Sequence, residues 1–409
     1  MRVLLVNAFH YLRGGVERTY LDESRWLSAA GHDVLHFAVR DPRNLFSPTA
    51  RHFAPPADFG EGAPVSRQLG RLPLALWSAP AARAMDGLLR ASRPDIAHLH
   101  APSRYLTPAV LRPLEGAGVP VVMTLHDLKP WCTNRIMFAR GAPCERCRGG
   151  RHWHALATGC VQDSRARSAV GMVEAYLHQA VGAYRAVRRW IAPSRFVLDK
   201  AIEHGVGRES LRLLPHGLEP VAAATTGGGM DLPREPFVLF AGRLSVEKGV
   251  RLLPALAMRL SPTPLVIAGD GPLRGWLERE GRTLPTLRRV GHVEDAALAA
   301  LRAAAAAVVV PSLFYEHFCY AAAEALLDRR PVVASRIGAI PELVEDGVTG
   351  LLVPPGDAPA LAAAVRRAMT DSCASAWAME GWARVSGLGD PRRHLEGLLT
   401  IYREAMVGK

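Results

Sequence analysis

A chain of 409 residues is longer than one typical domain and fits two. It is 49% apolar and 22% charged, and no run of apolar residues is long enough to span a membrane, so the composition is that of a soluble α/β protein. Its net charge of +12 falls entirely in the first half, because residues 1–215 hold 29 Lys and Arg against 17 Asp and Glu, whereas residues 216–409 hold 21 of each.

A basic half suits an anionic membrane face or a phosphate-bearing lipid acceptor. The arginines are scattered among alanines rather than interleaved with aromatics, so no nucleic-acid partner is expected. An Ala- and Arg-rich composition throughout is the bland alternative. The N-terminus MRVLLVNAFH reads as a first strand rather than a signal peptide. The expected location is the cytoplasm, peripheral on the inner membrane face if the basic half meets lipid.

Strand Arg2–Asn7 leads into a loop with Gly14 and Gly15, and a helix starts near Glu17. The loop is not GxGxxG, which disfavours a dehydrogenase. Two glycines before a helix still let a ligand approach backbone N–H groups, or they form a plain tight turn. Val34–Val39 is the second strand, residues 41–73 read as a long loop, and Leu74–Leu89 reads as a helix. Asp95–His100 is a strand and Ser103–Gly116 a helix. The apolar run Val119–Leu125 is a buried strand that delivers His126 and Asp127 at its carboxyl end. An imidazole there can donate to one oxygen and accept from another, or serve as a buried structural group.

The segment 128–165 carries Cys132, Cys144, Cys147 and Cys160, spaced C-x11-C-x2-C-x12-C, with His152 and His154 inside. In a reducing compartment this spacing points to a structural Zn²⁺ site, with free or redox-active thiols as the alternative. A metal would supply order that so polar a segment cannot draw from a core. Ser168–Arg189 reads as an amphipathic helix whose basic end, Arg185, Arg188 and Arg189, suits the helix dipole or an anionic surface. Trp190–Pro193 is a strand, Ser194 opens a helix, and Leu211–Leu214 is the last strand of the first domain. Residues 220–235, rich in Gly, Ala, Thr and Pro, are a linker.

The second domain opens with strand Val238–Phe240 and the run Gly242-Arg243, followed by Lys248-Gly249. Arg243 offers a planar fork for a phosphate and Lys248 a mobile point charge. Leu265–Ala268 turns at Gly269-Asp270-Gly271, and Val290–Val293, with His292, ends another strand. Strand Val308–Val310 is followed by a loop with Glu316, His317, Phe318 and Cys319, a helix Tyr320–Leu327 with Glu324, and strand Pro331–Ala334. In open α/β sheets ligands bind at the carboxyl ends of strands, so both acids face a ligand position. Helices Ala358–Met369 and Pro391–Val407 close the chain.

Glu316-x7-Glu324, Gly242-Arg243 with Lys248-Gly249, His126-Asp127, the Gly14-Gly15 loop and Pro341–Gly350 together resemble glycosyltransferase family 4, whose members are retaining GT-B enzymes. The resemblance implies two Rossmann-like domains facing across a cleft. An N-terminal acceptor domain would span 1–216 and a nucleotide-sugar domain 217–386, with a C-terminal helix in 387–409 crossing back. It implies a nucleotide-diphosphate sugar donor and a hydroxyl acceptor, lipid-linked or polysaccharide. Glu316 would hold sugar hydroxyls, Glu324 the ribose, Arg243 and Lys248 the diphosphate, and His126 the transferred sugar. Asp127 would lie on the acceptor side. Gly14, Gly15, His292, His317, Phe318 and Cys319 would line the donor, and catalysis would need no metal cofactor. A subset of the family carries a similar cysteine insertion after His-Asp. The family usually has Phe-Gly where this chain has Phe318-Cys319, and Asn where it has His216. The alternatives are another GT-B enzyme, such as a sugar-phosphate synthase or nucleotide-sugar epimerase, or a non-catalytic sugar-nucleotide-binding protein.

Overall fold

A computed structural model describes residues 1–56, 72–221 and 235–407. Part of the expected long loop and most of the expected linker lie outside them. The chain divides into two compact units. One comprises Met1–Arg140, Cys144–Gly217 and Pro391–Lys409; the other comprises Gly141–Pro143 and Leu218–Asp390. The first unit thus runs to Gly217 rather than 216, and its final segment starts at Pro391 rather than 387.

Each unit is built on a six-stranded parallel sheet. In the first, strands β1 (Arg2–Val6), β2 (Asp33–Phe37), β3 (Ile96–Leu99), β4 (Val121–Thr124), β5 (Val187–Ala192) and β6 (Leu211–Leu213) lie in the order β2-β1-β3-β4-β5-β6. In the second, β7 (Val238–Ala241), β8 (Leu265–Ala268), β9 (Leu287–Gly291), β10 (Ala307–Val310), β11 (Val332–Ser335) and β12 (Leu351–Val353) lie in the order β9-β8-β7-β10-β11-β12. Strands β3, β4, β8, β10 and β11 are buried along their whole length, as parallel strands covered on both faces must be. That is why their sequences are mostly apolar, with His98 in β3 a buried exception. The strand order reverses between β1 and β3 in one sheet and between β7 and β10 in the other. Such switch points open a crevice at the strands' carboxyl ends, and both units place their polar residues there.

Helix α1 (Gly15–Ala29) follows β1 and buries Tyr20, Glu23 and Leu27. Helix α2 runs Arg165–Ala180 and stops short of the expected end at Arg189. Gly182, at φ +57°, turns the chain, and Arg188 and Arg189 instead belong to β5. Those basic residues have partners within the unit, Arg185 at its surface. Arg185 pairs with Glu115 at 3.0 Å, Arg188 donates to the Ala405 carbonyl at 3.0 Å, and Arg189 lies 3.5 Å from Glu404. Arg188 and Arg189 therefore do not form the end of that helix. Two other expected helices are also broken. Leu72–Leu76 ends before Ser78, whose hydroxyl accepts from the Ala81 N–H and starts Ala79–Ser92. Ser103–Leu106 and Leu111–Gly116 are separated by Thr107 and Pro108, where proline removes a helical donor. Among the described residues no helix is long and apolar enough to cross a membrane.

In the second unit α3 (Tyr320–Leu327) joins β10 to β11. In the first, α4 (Pro391–Val407) buries His394, Leu398, Ile401, Tyr402 and Ala405, one stripe at helical spacing. The stripe packs on Val3, Leu5, Val122 and Ile191 of the sheet. Arg212 fixes its far end through Glu404 at 2.6 Å, and Arg188 caps its terminal carbonyl. Leu398→Ala should therefore destabilise the first unit by about 2–5 kcal/mol, seen as a lower first transition in denaturant unfolding.

Candidate active site

The second unit's switch point carries a charged pair. Lys248 lies on the loop after β7 and Glu316 on the loop after β10, and Lys248 Nζ donates to Glu316 Oε1 at 2.8 Å. Ser312 Oγ donates to the same oxygen at 2.6 Å. Glu316 is only 5% exposed, so its charge depends on these two donors. Burial alone would pull the Lys248 ammonium down, but Glu316, with Cys319 and Glu247 nearby, holds it above its usual value, so it is charged at neutral pH. The ammonium also sits 5.0 Å over the Phe314 ring.

The loops can approach this closely because of two glycines. A Cβ on Gly249, at φ +73°, would lie 1.9 Å from the Pro311 carbonyl oxygen. One on Gly338, at φ +58°, would lie 2.5 Å from both the N and the O of Glu316. The Leu313 N–H to Glu247 carbonyl bond (2.8 Å) and the Ala339 N–H to Glu316 carbonyl bond (2.8 Å) tie the three loops together.

Glu324 stands on α3, and Arg302 NH1 donates to its Oε2 at 2.9 Å, while Arg302 Nε donates to Asp328 at 2.6 Å. Arg302 is buried, so it orients the Glu324 carboxylate from behind. Arg243 is exposed at the same end of β7, and His292 is exposed just past β9. His317 is half-buried, its ring 6.5 Å from Phe314, and Phe318 is buried, 5.3 Å from the Tyr320 ring. Cys319 caps α3 at φ +70°, ψ +70°. This left-handed backbone is what the family's usual glycine adopts freely and an L-residue only at a cost. Burial, and next the Glu316 carboxylate, push its thiol above the usual range.

In the first unit, Gly14 is the extended cap of α1, Gly15 is its first residue, and both are exposed. His126 Nε2 lies 3.0 Å from His100 Nδ1. The His126 ring stacks on that of His100 at 5.2 Å and on that of His216 at 5.1 Å. Asp127 Oδ1 accepts from the Lys129 N–H at 3.0 Å. A small crevice beside them is lined by His126, Asp127, Lys129, Glu174, His178 and Tyr184, among others. Lys129 and Glu174 are paired across it at 2.6 Å. Spacing did suggest His126 and Asp127. It gave no sign that His100 and His216 flank His126, that Ser312 meets Glu316 or that Arg302 meets Glu324.

Of the four insertion cysteines, Cys132 is buried and Cys144, Cys147 and Cys160 are half-buried. Burial, then Cys160, pushes the Cys147 thiol up to about 11, and burial, with Cys147 and Cys160 adding to it, pushes Cys132 up to about 12. Cys132 Sγ donates to Asn134 Oδ1 at 2.9 Å. Among the described residues, the metal-ligating atoms of Glu23, His98 and His100 form a group within 4.8 Å, and the four sulfurs do not form such a group.

Two family models match the chain: Glycosyltransferase Family 4 over residues 13–221, and Glycosyl transferases group 1 over residues 235–371. A GDP-mannose-dependent alpha-mannosyltransferase of Mycolicibacterium smegmatis is 30% identical over 86% of this chain and 84% of its own length. A glycogen synthase of Mycobacterium tuberculosis is 32% identical over 71% of this chain, which spans 63% of that enzyme. Among solved structures, Anabaena HepE in complex with UDP and glucose superposes with a TM-score of 0.72 at 18% identity, covering 99% of this chain and 100% of its own. Sucrose-phosphate synthase of Thermosynechococcus elongatus superposes at 0.70 with 22% identity, covering 98% of both chains. The fold is GT-B, and the chain belongs to glycosyltransferase family 4.

Because Cys319 is held in a left-handed backbone, Cys319→Gly should be more stable than Cys319→Ala by about 1 kcal/mol in thermal unfolding, both variants lacking the thiol.

Proposed function

We propose that this protein transfers a sugar from a nucleotide-diphosphate sugar to an acceptor hydroxyl with retention of configuration. The observation that carries the reading is the Lys248–Glu316 pair at the switch point of the second sheet, beside the exposed guanidinium of Arg243. In this reading Lys248 and Arg243 meet the diphosphate. Its charge grows as the glycosidic bond breaks, and fixed cations stabilise the growing charge without reorganisation. They supply the role of a divalent cation, so no catalytic metal is needed.

A substrate diphosphate would draw the Lys248 ammonium toward it and leave Glu316 Oε1 to accept sugar hydroxyls in its place, with Ser312 still holding the carboxylate. Glu324, oriented by Arg302, would accept from the two ribose hydroxyls. The attacking hydroxyl would enter on the face the leaving group departs from, and a diphosphate oxygen would take its proton. His126 would contact the transferred sugar. The crevice beside it, with Asp127, Lys129 and Glu174, would take the acceptor. Anionic lipid carriers and neutral saccharides are both open as acceptors. Relatives named as mannosyltransferase and glycogen synthase support a hexose donor.

Lys248→Ala should lower turnover about 100- to 1000-fold with the fold retained by circular dichroism, and turnover near wild type would remove the site. NMR of the product's anomeric centre should show the donor's configuration. An inverted product would overturn the retaining mechanism.

The insertion cysteines support a structural Zn²⁺ proposal. The reading rests on their spacing, C-x11-C-x2-C-x12-C, in a segment poor in apolar residues, and binding would have to draw the sulfurs together and displace their protons. Metal analysis of protein purified without chelator should find about one zinc per chain, lost in Cys147→Ser. No zinc would leave free thiols.

A further inference from the structure

Glu23, in the middle of α1, is closed off inside the first unit at 1% exposure. Three imidazoles face it. His394 Nε2 donates to Oε1 at 3.1 Å, while His98 Nδ1 and His100 Nε2 lie 3.2 and 3.4 Å from Oε2. The other nitrogen of His394 meets the Pro215 carbonyl at 2.7 Å. His394 thus lies between two oxygens, the Pro215 carbonyl and Glu23 Oε1. Burial first, helped by the neighbouring His98, keeps His100 neutral, so its ring holds one proton.

That proton has two possible places. On Nδ1 it would leave the bare Nε2 lone pair facing the Glu23 carboxylate inside the protein, two electron-rich atoms 3.4 Å apart. On Nε2 it faces Oε2 across 3.4 Å, a contact too long or bent to be a hydrogen bond but one in which the carboxylate charge favours a proton, and the bare Nδ1 then accepts from His126 Nε2 at 3.0 Å. We propose that Glu23 is a positioning residue for His126: through His100 it fixes the proton of His126 on Nε2 and makes Nδ1 the accepting nitrogen. The stacked rings of His100 and His216 hold the plane of His126. The inference rests on the reading of His126 as a contact to the transferred sugar. The same three ligand atoms lie within reach of one metal ion. However, His98 Nδ1 already meets the Tyr402 hydroxyl at 2.8 Å, and the group is closed to solvent, so we assign it to hydrogen bonding.

The test is ¹⁵N NMR of the full chain labelled at histidine, which needs no substrate. The wild type should show His126 protonated at Nε2 and bare at Nδ1. The isosteric Glu23→Gln should shift His126 toward the other tautomer, and sugar-transfer kcat should fall about 10- to 100-fold with the donor KM unchanged. Tyr402→Phe removes a buried hydrogen bond at His98 and should lower stability without moving the His126 signals. A wild-type His126 protonated at Nδ1 overturns the proposal, even if Glu23→Gln fails to fold. So does an unmoved tautomer in Glu23→Gln, or a stoichiometric metal lost in that variant. A correct tautomer in a protein that turns over no nucleotide sugar would instead count against the proposed function.

Discussion

A carboxylate held inside a protein must be met by donors, and the second unit is arranged around meeting Glu316. Removing such a charge from water costs several kcal/mol, and the Lys248 ammonium and Ser312 hydroxyl offset it. A partly buried ion pair of this kind adds little net stability over an apolar filling, so packing alone gives no reason for it. The backbone nonetheless gives up side chains at Gly249 and Gly338 so that three loops can close on it. The switch point between β7 and β10 is the one place in the sheet where loops from adjacent strands diverge enough to leave a ligand room.

The first unit meets the same constraint with different chemistry. Its polar interior is built from imidazoles instead of a cation and an acid. Glu23 is the buried acid, and α4 meets it through His394. The last helix thus does two things: its apolar stripe completes the core, and its first turn gives an acid on α1 a hydrogen-bond partner. The basic residues of this unit are spent in the same way, with Arg185, Arg188, Arg189 and Arg212 bound to acids or helix carbonyls.

Much of this was legible in the sequence because parallel strands buried on both faces leave plain apolar runs. The strands around Glu316 and Lys248 were placed to within a residue or two, and so were the loops that carry them. What sequence could not give was partnership at long range. Glu23 and His394 are 371 residues apart, and Arg302 reaches Glu324 from another helix. The helix expected through Arg189 failed because alanine-rich sequence favours helix on either side of Gly182, while β5 needed Val187–Ala192 for the sheet. Local propensity lost to strand pairing there. Cys319 was recognisable as a departure from the family, but its strained backbone was visible only in the structure.

The most direct test of the central claim is thermal stability of the purified protein against a panel of nucleotide-diphosphate sugars and their free nucleoside diphosphates. The account predicts that one donor and its diphosphate raise the melting temperature, that the shift is lost in Glu316→Ala for the sugar but kept for the diphosphate, and that the donor is slowly hydrolysed. If no nucleotide sugar or diphosphate stabilises the protein, the Lys248–Glu316 pair is not a donor site and the transferase reading fails.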